Sequence, residues 1–127
     1  METPRKILVI DDDLDIGQMM KMMLTYKGYK VTVIENAEGV EELIRNRSFD
    51  LIFIDMFLSG RYGVDICFGL KMEKPATHIP IIMMSAHPDA KKICMEAGAN
   101  DFISKPFDTN ELLAKVANLV KNSTAVS

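Results

Sequence analysis

Short apolar runs alternate along the chain with longer stretches whose apolar residues recur every three to four positions, and this alternation predicts strands and helices in turn. The runs are Ile7–Ile10, Val31–Ile34, Leu51–Ile54, Ile81–Met84 and Phe102–Ile103. Each is continuously apolar, the pattern of a strand covered on both faces. Helices are expected over Leu14–Lys27, Ala37–Arg45, Val64–Glu73, Ala90–Ala97 and Glu111–Lys121. Gly28 and Gly98 stand where helix ends need a left-handed residue; Asn36 is placed to cap the second helix and Asp108 or Thr109 the last. Asn122–Ser127 reads as a frayed tail. Five strand–helix cycles predict an α/β domain with a parallel sheet.

Composition narrows what such a domain can do. With 127 residues, 48% hydrophobic and 26% charged, the chain suits one domain with its own core, ordered over about 5–121, with no output domain. A net charge of −3, with Lys and Arg scattered, supplies no basic field for a nucleic-acid backbone. Cys67 and Cys94 lack zinc-ligand spacing and are expected as reduced thiols, which fits the cytoplasm. No apolar run approaches the ~20 residues that span a bilayer, and residues 1–6 do not resemble a leader, so no membrane association is expected.

Polar residues that interrupt the strand ends carry the candidate chemistry, because ligands of open α/β sheets bind beyond the carboxyl ends of the strands. The first run leads into Asp11-Asp12-Asp13, the third into Asp55, the fourth into Ser85, and the fifth is followed by Lys105-Pro106. Asp13 suits the N-cap of the first helix, but three successive acids exceed what capping requires. Singly, Asp55 reads as a turn residue, Ser85 as a strand-end cap and Lys105 as a solvated lysine; jointly they converge on one edge. Clustered carboxylates repel unless a hard cation and an ammonium compensate them, and Mg²⁺ is the natural candidate, with Mn²⁺ as substitute.

Ile7-Leu8-Val9-Ile10-Asp11-Asp12-Asp13, Asp55, Ser85-Ala86 and Asp101-Phe102-Ile103-Ser104-Lys105-Pro106-Phe107 together resemble the response-regulator receiver family of two-component signalling, over nearly the whole chain. The resemblance implies a flavodoxin-like three-layer α/β/α sandwich whose five parallel strands run in the order 2-1-3-4-5. It implies that Asp55 is the phosphoacceptor, that Asp12 ligates Mg²⁺ directly and Asp11 largely through water, and that Asp55 and the Phe57 carbonyl join them. Lys105 would pair with Asp55 and then with the phosphoryl group, whose other oxygens the Ser85 hydroxyl and the Ala86 backbone would bind. A cis peptide is expected at Lys105-Pro106. Ser85 and Phe102 would form the switch: Ser85 moves toward the phosphoryl group and Phe102 turns into the vacated space. That movement would reshape the surface of the fourth helix, fifth strand and fifth helix.

The implied donor is a phosphohistidine on a sensor histidine kinase or phosphotransfer protein. A monomer is expected before phosphorylation, with dimerisation on activation left open; Lys115 and Lys121 do not reproduce the arginines of the winged-helix subfamily's dimers. The chain departs from the family pattern at Ser59, where proline is common, and Tyr62, where an acid is common, so a less rigid loop is expected there. Phe102 lacks the hydroxyl of the common tyrosine. His78 and His87 have no ligand spacing, and Met19, Met20, Met22 and Met23 are expected to divide between core and surface. Two rivals remain. A haloacid-dehalogenase-like phosphatase would use Asp11 as nucleophile, and a degenerate binding module would take no phosphate.

Overall fold

The computed structural model describes residues 3–73 and 78–124. In chain order its elements are β1 (Lys6–Ile10), α1 (Leu14–Tyr26), β2 (Lys30–Ile34), α2 (Val40–Asn46), β3 (Leu51–Asp55), β4 (Phe57–Leu58), β5 (Arg61–Tyr62), α3 (Gly63–Met72), β6 (Ile81–Ser85), α4 (Ala90–Glu96), β7 (Asp101–Ser104) and α5 (Thr109–Thr124). Five of the strands form one sheet in the order β2-β1-β3-β6-β7. All of its pairings are parallel. Counted without the small β4–β5 hairpin, this is the expected order 2-1-3-4-5.

The apolar runs become strands because both sheet faces carry helices. Side chains alternate along a strand, so Leu8, Ile10, Ile52, Ile54, Ile81, Met83 and Phe102 enter the core cluster that contains residues of α2, α3 and α4. Their neighbours Ile7, Val9, Leu51, Phe53, Ile82, Met84 and Ile103 enter the cluster containing residues of α1 and α5. Each side chain so buried stabilises the fold by roughly 1.5–3 kcal/mol before entropy is charged against it. Strand β2 departs from the expectation: it is an edge, and Val31, Thr32, Val33 and Ile34 are only partly covered.

The amphipathic helices follow the same logic. On α1, Gly17, Met20 and Leu24 are buried at helical spacing, while Met19 and Met22 face out. A Cβ on Gly17 would lie 2.7 Å from Val33, so glycine lets this helix sit close to the sheet. Asp13 caps α1 by accepting from the N–H groups of Asp15 and Ile16 at 3.0 and 3.3 Å. Asp108, not Thr109, caps α5, accepting from Glu111 N–H at 3.2 Å.

Two expectations are corrected and one element is added. Asn36 does not cap α2; its Oδ1 accepts from Glu38 N–H at 3.0 Å within a turn, Gly39 takes φ +74°, and the helix begins at Val40. At the C-terminus, α5 continues through Thr124, so 122–124 are helical; 125–127 lie outside the described residues. The segment after Asp55 is a paired hairpin, with Phe57 opposite Tyr62 and Leu58 opposite Arg61. Ser59-Gly60 forms its two-residue turn, and Gly60 supplies the positive φ of +81° that other residues resist. Among the described residues, no helix is long and apolar enough to cross a membrane.

Candidate functional site

The parallel sheet brings the ends of β1, β3, β6 and β7 to one edge, and the backbone ladder continues just far enough to aim the side chains there. Asp11 N–H donates to the Ile34 carbonyl at 3.1 Å, Met56 N–H to Met84 at 2.8 Å, and Lys105 N–H to Ser85 at 2.8 Å. Beyond these bonds the chain turns away from the sheet. The Lys105–Pro106 peptide is cis.

Lys105 is the centre of the pocket. Its Nζ lies 2.7 Å from Asp11 Oδ2 and 2.7 Å from Asp55 Oδ1, so a single ammonium bridges the ends of β1 and β3. The other oxygens are also engaged: Asp11 Oδ1 accepts from Asp13 N–H at 2.9 Å and Asp55 Oδ2 from Phe57 N–H at 3.2 Å. Asp11 is fully buried, whereas Asp55 keeps 8% of its surface exposed. Asp12 points outward into the same pocket and accepts from the Ser59 hydroxyl at 3.1 Å.

Burial decides the proton affinities. It raises the Asp55 carboxyl above its usual range, because the pull of Lys105 is divided with Asp11, which also repels Asp55. Burial disfavours the Lys105 ammonium, yet two hydrogen-bonded carboxylates outweigh it and hold Lys105 above the ordinary lysine range. Burial thus dominates at Asp55, where Lys105 offsets it only in part, whereas at Lys105 two anions outweigh it.

The residues fit a hard dication. One oxygen from each of Asp11, Asp12 and Asp55 lies within 4.8 Å of the other two. Three carboxylates against one ammonium leave an excess of negative charge that a divalent ion would neutralise, and an all-oxygen donor set suits Mg²⁺. Ser85 is nearly buried, and its Oγ accepts from His87 N–H at 3.0 Å. Phe57 is half exposed, its ring edge-on to those of His87 and Tyr62 at centroid separations of 5.6 and 6.1 Å. Phe102 lies inside the core with 6% exposure.

The expected Asp11, Asp12, Asp55 and Lys105 therefore meet in one pocket, with Ser85 closing the end of the strand next to β3. Missing from the expectation were the bridge from Lys105 to Asp11 and the contact from Ser59 to Asp12. The Ser-Gly pair between Phe57-Leu58 and Arg61-Tyr62 was the available signal for the hairpin that delivers Ser59.

Fold and pocket together define a doubly wound α/β domain with a dication-competent carboxylate site at the carboxyl edge of its sheet. The response regulator receiver domain matches residues 7–117, and the chain belongs to that family: it is a receiver domain of two-component signalling. It is 35% identical over 126 residues to the DNA-binding response regulator MtrA of Mycobacterium tuberculosis, covering 96% of this chain and 54% of that protein. It is 34% identical over 121 residues to the phosphate regulon transcriptional regulatory protein PhoB of Pseudomonas aeruginosa, covering 94% and 53% respectively. The chain thus spans about half the length of these curated relatives. Among solved structures, a putative response regulator from Chloroflexus aurantiacus superposes with a TM-score of 0.89 at 30% identity, covering 94% of this chain and 99% of that one.

Proposed function

We propose that Asp55 accepts a phosphoryl group from a phosphohistidine on a sensor histidine kinase or histidine phosphotransfer protein, in a Mg²⁺-dependent reaction in the cytoplasm. The observation that carries this reading is the Lys105 ammonium bridging Asp55 and the fully buried Asp11. A carboxylate oxygen of Asp55 attacks phosphorus, the P–N bond to the donor imidazole breaks, and the imidazole keeps the bonding pair and takes up a proton. Lys105 then neutralises charge spreading over the phosphoryl oxygens, while the Ser85 hydroxyl and Ala86 N–H bind the remaining ones. Asp12, Asp55 and the Phe57 carbonyl would hold Mg²⁺ directly and Asp11 through water; Asp11 is the fully buried member of the three carboxylates. Bound Mg²⁺, or Mn²⁺ in its place, would supply charge neutralisation at the carboxylates and the phosphoryl oxygens.

Signalling output is assigned to the surface of α4, β7 and α5, through Ser85 and Phe102, toward a protein target and without direct nucleic-acid contact by this chain. The domain would promote its own phosphorylation and dephosphorylation and no other turnover. Asp11 is a poor nucleophile beside Asp55, being wholly buried. The test is incubation with a small acyl phosphate and Mg²⁺, followed by intact mass and site mapping. Label on Asp55, abolished by Asp55→Asn, is expected, and Asp12→Ala should weaken Mg²⁺ binding sharply. Label on Asp11 would select the phosphatase chemistry, and failure to label would leave a binding module.

A further inference from the structure

Ser59 occupies the turn of the β4–β5 hairpin, and its hydroxyl donates to Asp12 Oδ2 at 3.1 Å across 47 residues of sequence. The hairpin is itself fixed at several points. Arg61 binds Glu41 on α2 through two nitrogens, at 3.1 and 2.7 Å, and Gly63 N–H donates to the Met56 carbonyl at 2.7 Å. Phe57 N–H, at the other end of the same hairpin, holds Asp55. Asp12 is otherwise an exposed carboxylate free to rotate toward solvent, unlike Asp11, which has Lys105 and Asp13 as partners. The carboxylate so held from the hairpin side also has an oxygen within 4.8 Å of one oxygen of Asp11 and one of Asp55.

We propose that Ser59 is a positioning residue: its hydroxyl fixes the Asp12 carboxylate in the rotamer that ligates a divalent cation. This deepens the proposed function and rests on its assignment of Asp12 as a metal ligand. The physical basis is preorganisation, since hydrogen-bond partners behind ligating carboxylates typically change metal affinity by about 10–100-fold. The exposed setting of the Ser59 contact places the expected effect at the lower end of that range.

The test is Mn²⁺ binding followed by electron paramagnetic resonance, with Mg²⁺ competition, on the parent, Ser59→Ala and Ser59→Thr, each with Asp12 intact and as Asp12→Asn. Ser59→Ala should weaken Mn²⁺ about tenfold, and Ser59→Thr should restore it because the hydroxyl returns. In the Asp12→Asn background, Ser59→Ala should change the residual affinity by less than about twofold, an independence that mere loosening of the hairpin would not produce. Equal or tighter binding by Ser59→Ala overturns the inference, as does equal loss in both backgrounds. If the parent itself binds no divalent ion at millimolar concentration, the proposed metal-dependent function falls first and the role of Ser59 with it.

Discussion

Replacing Lys105 with Met keeps most of the aliphatic stem and deletes the ammonium, which isolates what that single charge does. It has two partners at 2.7 Å, and its own side chain is only 14% exposed, against 0% for Asp11 and 11% for Asp55. Without it two carboxylates face each other in a dry pocket, and breaking a buried pair in this way costs roughly 3–5 kcal/mol. A ceiling exists, because one carboxyl can take up a proton. At pH 7, protonating a group of pKa about 4 costs about 4 kcal/mol, so the loss should settle near 3–4 kcal/mol. The contribution of Lys105 is at full strength there: a lysine whose folded pKa is raised stabilises fully below its unfolded value and loses that only as pH climbs through the folded one. In the variant the sign reverses. Carboxylates left facing each other without the cation favour proton uptake by the native pocket, so acid favours the native state, by at most about 1.4 kcal/mol per pH unit, or up to about 2 kcal/mol between pH 7 and 5.5. The chain has no Trp, so urea unfolding should be followed by far-ultraviolet circular dichroism, in EDTA, at both pH values. A Lys105→Met deficit under 1 kcal/mol at pH 7, or one of the same size at pH 5.5, would refute the bridge as described.

Three further outcomes are expected. A Cβ on Gly63 would lie 2.1 Å from the Asp55 carbonyl oxygen, a backbone atom that cannot swing aside, so Gly63→Ala should cost about 3 kcal/mol in urea unfolding; an unchanged midpoint would contradict the close approach. Phe57, two residues beyond Asp55 and half exposed, offers no group to orient water. Phe57→Asn should therefore speed loss of phosphate from the isolated phosphoprotein by about tenfold at equal saturating Mg²⁺, and no acceleration would show that the ring does not limit attack. Burial pushes the Cys67 thiol up to about 11, so the unfolded chain releases this proton first and stability falls as pH rises above about 9, by up to about 1.4 kcal/mol per unit. Comparing the parent with Cys67→Ala between pH 8 and 10.5 should show a shallower decline in the variant, and parallel slopes would remove Cys67 as the cause.

The legible parts of the fold were those governed by burial on two faces. Ile7–Ile10, Leu51–Ile54 and Ile81–Met84 are inner strands between two helical layers, so their apolar runs are unbroken. The β4–β5 hairpin was hidden because each strand has two residues, Phe57 and Tyr62 are exposed, and its stability comes from polar tethers such as Arg61 to Glu41. The start of α2 was misplaced for a related reason: Asn36 has the same turn-forming chemistry as a helix cap, and only Gly39 with its positive φ separates the two outcomes. In the site, residue types at strand ends revealed which groups converge. They could not reveal how one lysine divides itself between two acids, because that depends on side-chain reach across three strands of the sheet.

Phe102 shows how one missing atom changes the energetics of the proposed switch. A tyrosine at this position divides its preference, since its hydroxyl gains from water outside while its ring gains from burial inside. Phenylalanine has only the second term. Burying such a ring is worth roughly 2 kcal/mol, a bias of about thirtyfold toward the inward position relative to an exposed one. The structure agrees, with Phe102 packed among Ile81, Met83 and Cys94 in one core cluster while the Ser85 hydroxyl is still held by His87 N–H. A ligand or modification shifts an equilibrium only by its different interaction with the two states. An inward bias of the aromatic itself narrows the change that Phe102 would contribute to the proposed switch, so Ser85, Lys105 and the loops that carry them would contribute the larger share beside it. Of these, Ser85 is tied through His87 to the ring of Phe57, which places the segment before α4 and the hairpin after Asp55 in a single contact chain. Ser85 Oγ accepts from His87 N–H and keeps its own proton to donate. A phosphoryl group that draws the Ser85 hydroxyl toward it would therefore pull on the His87 N–H through the same oxygen, a coupling of acceptor to surface that works even where the aromatic stays still.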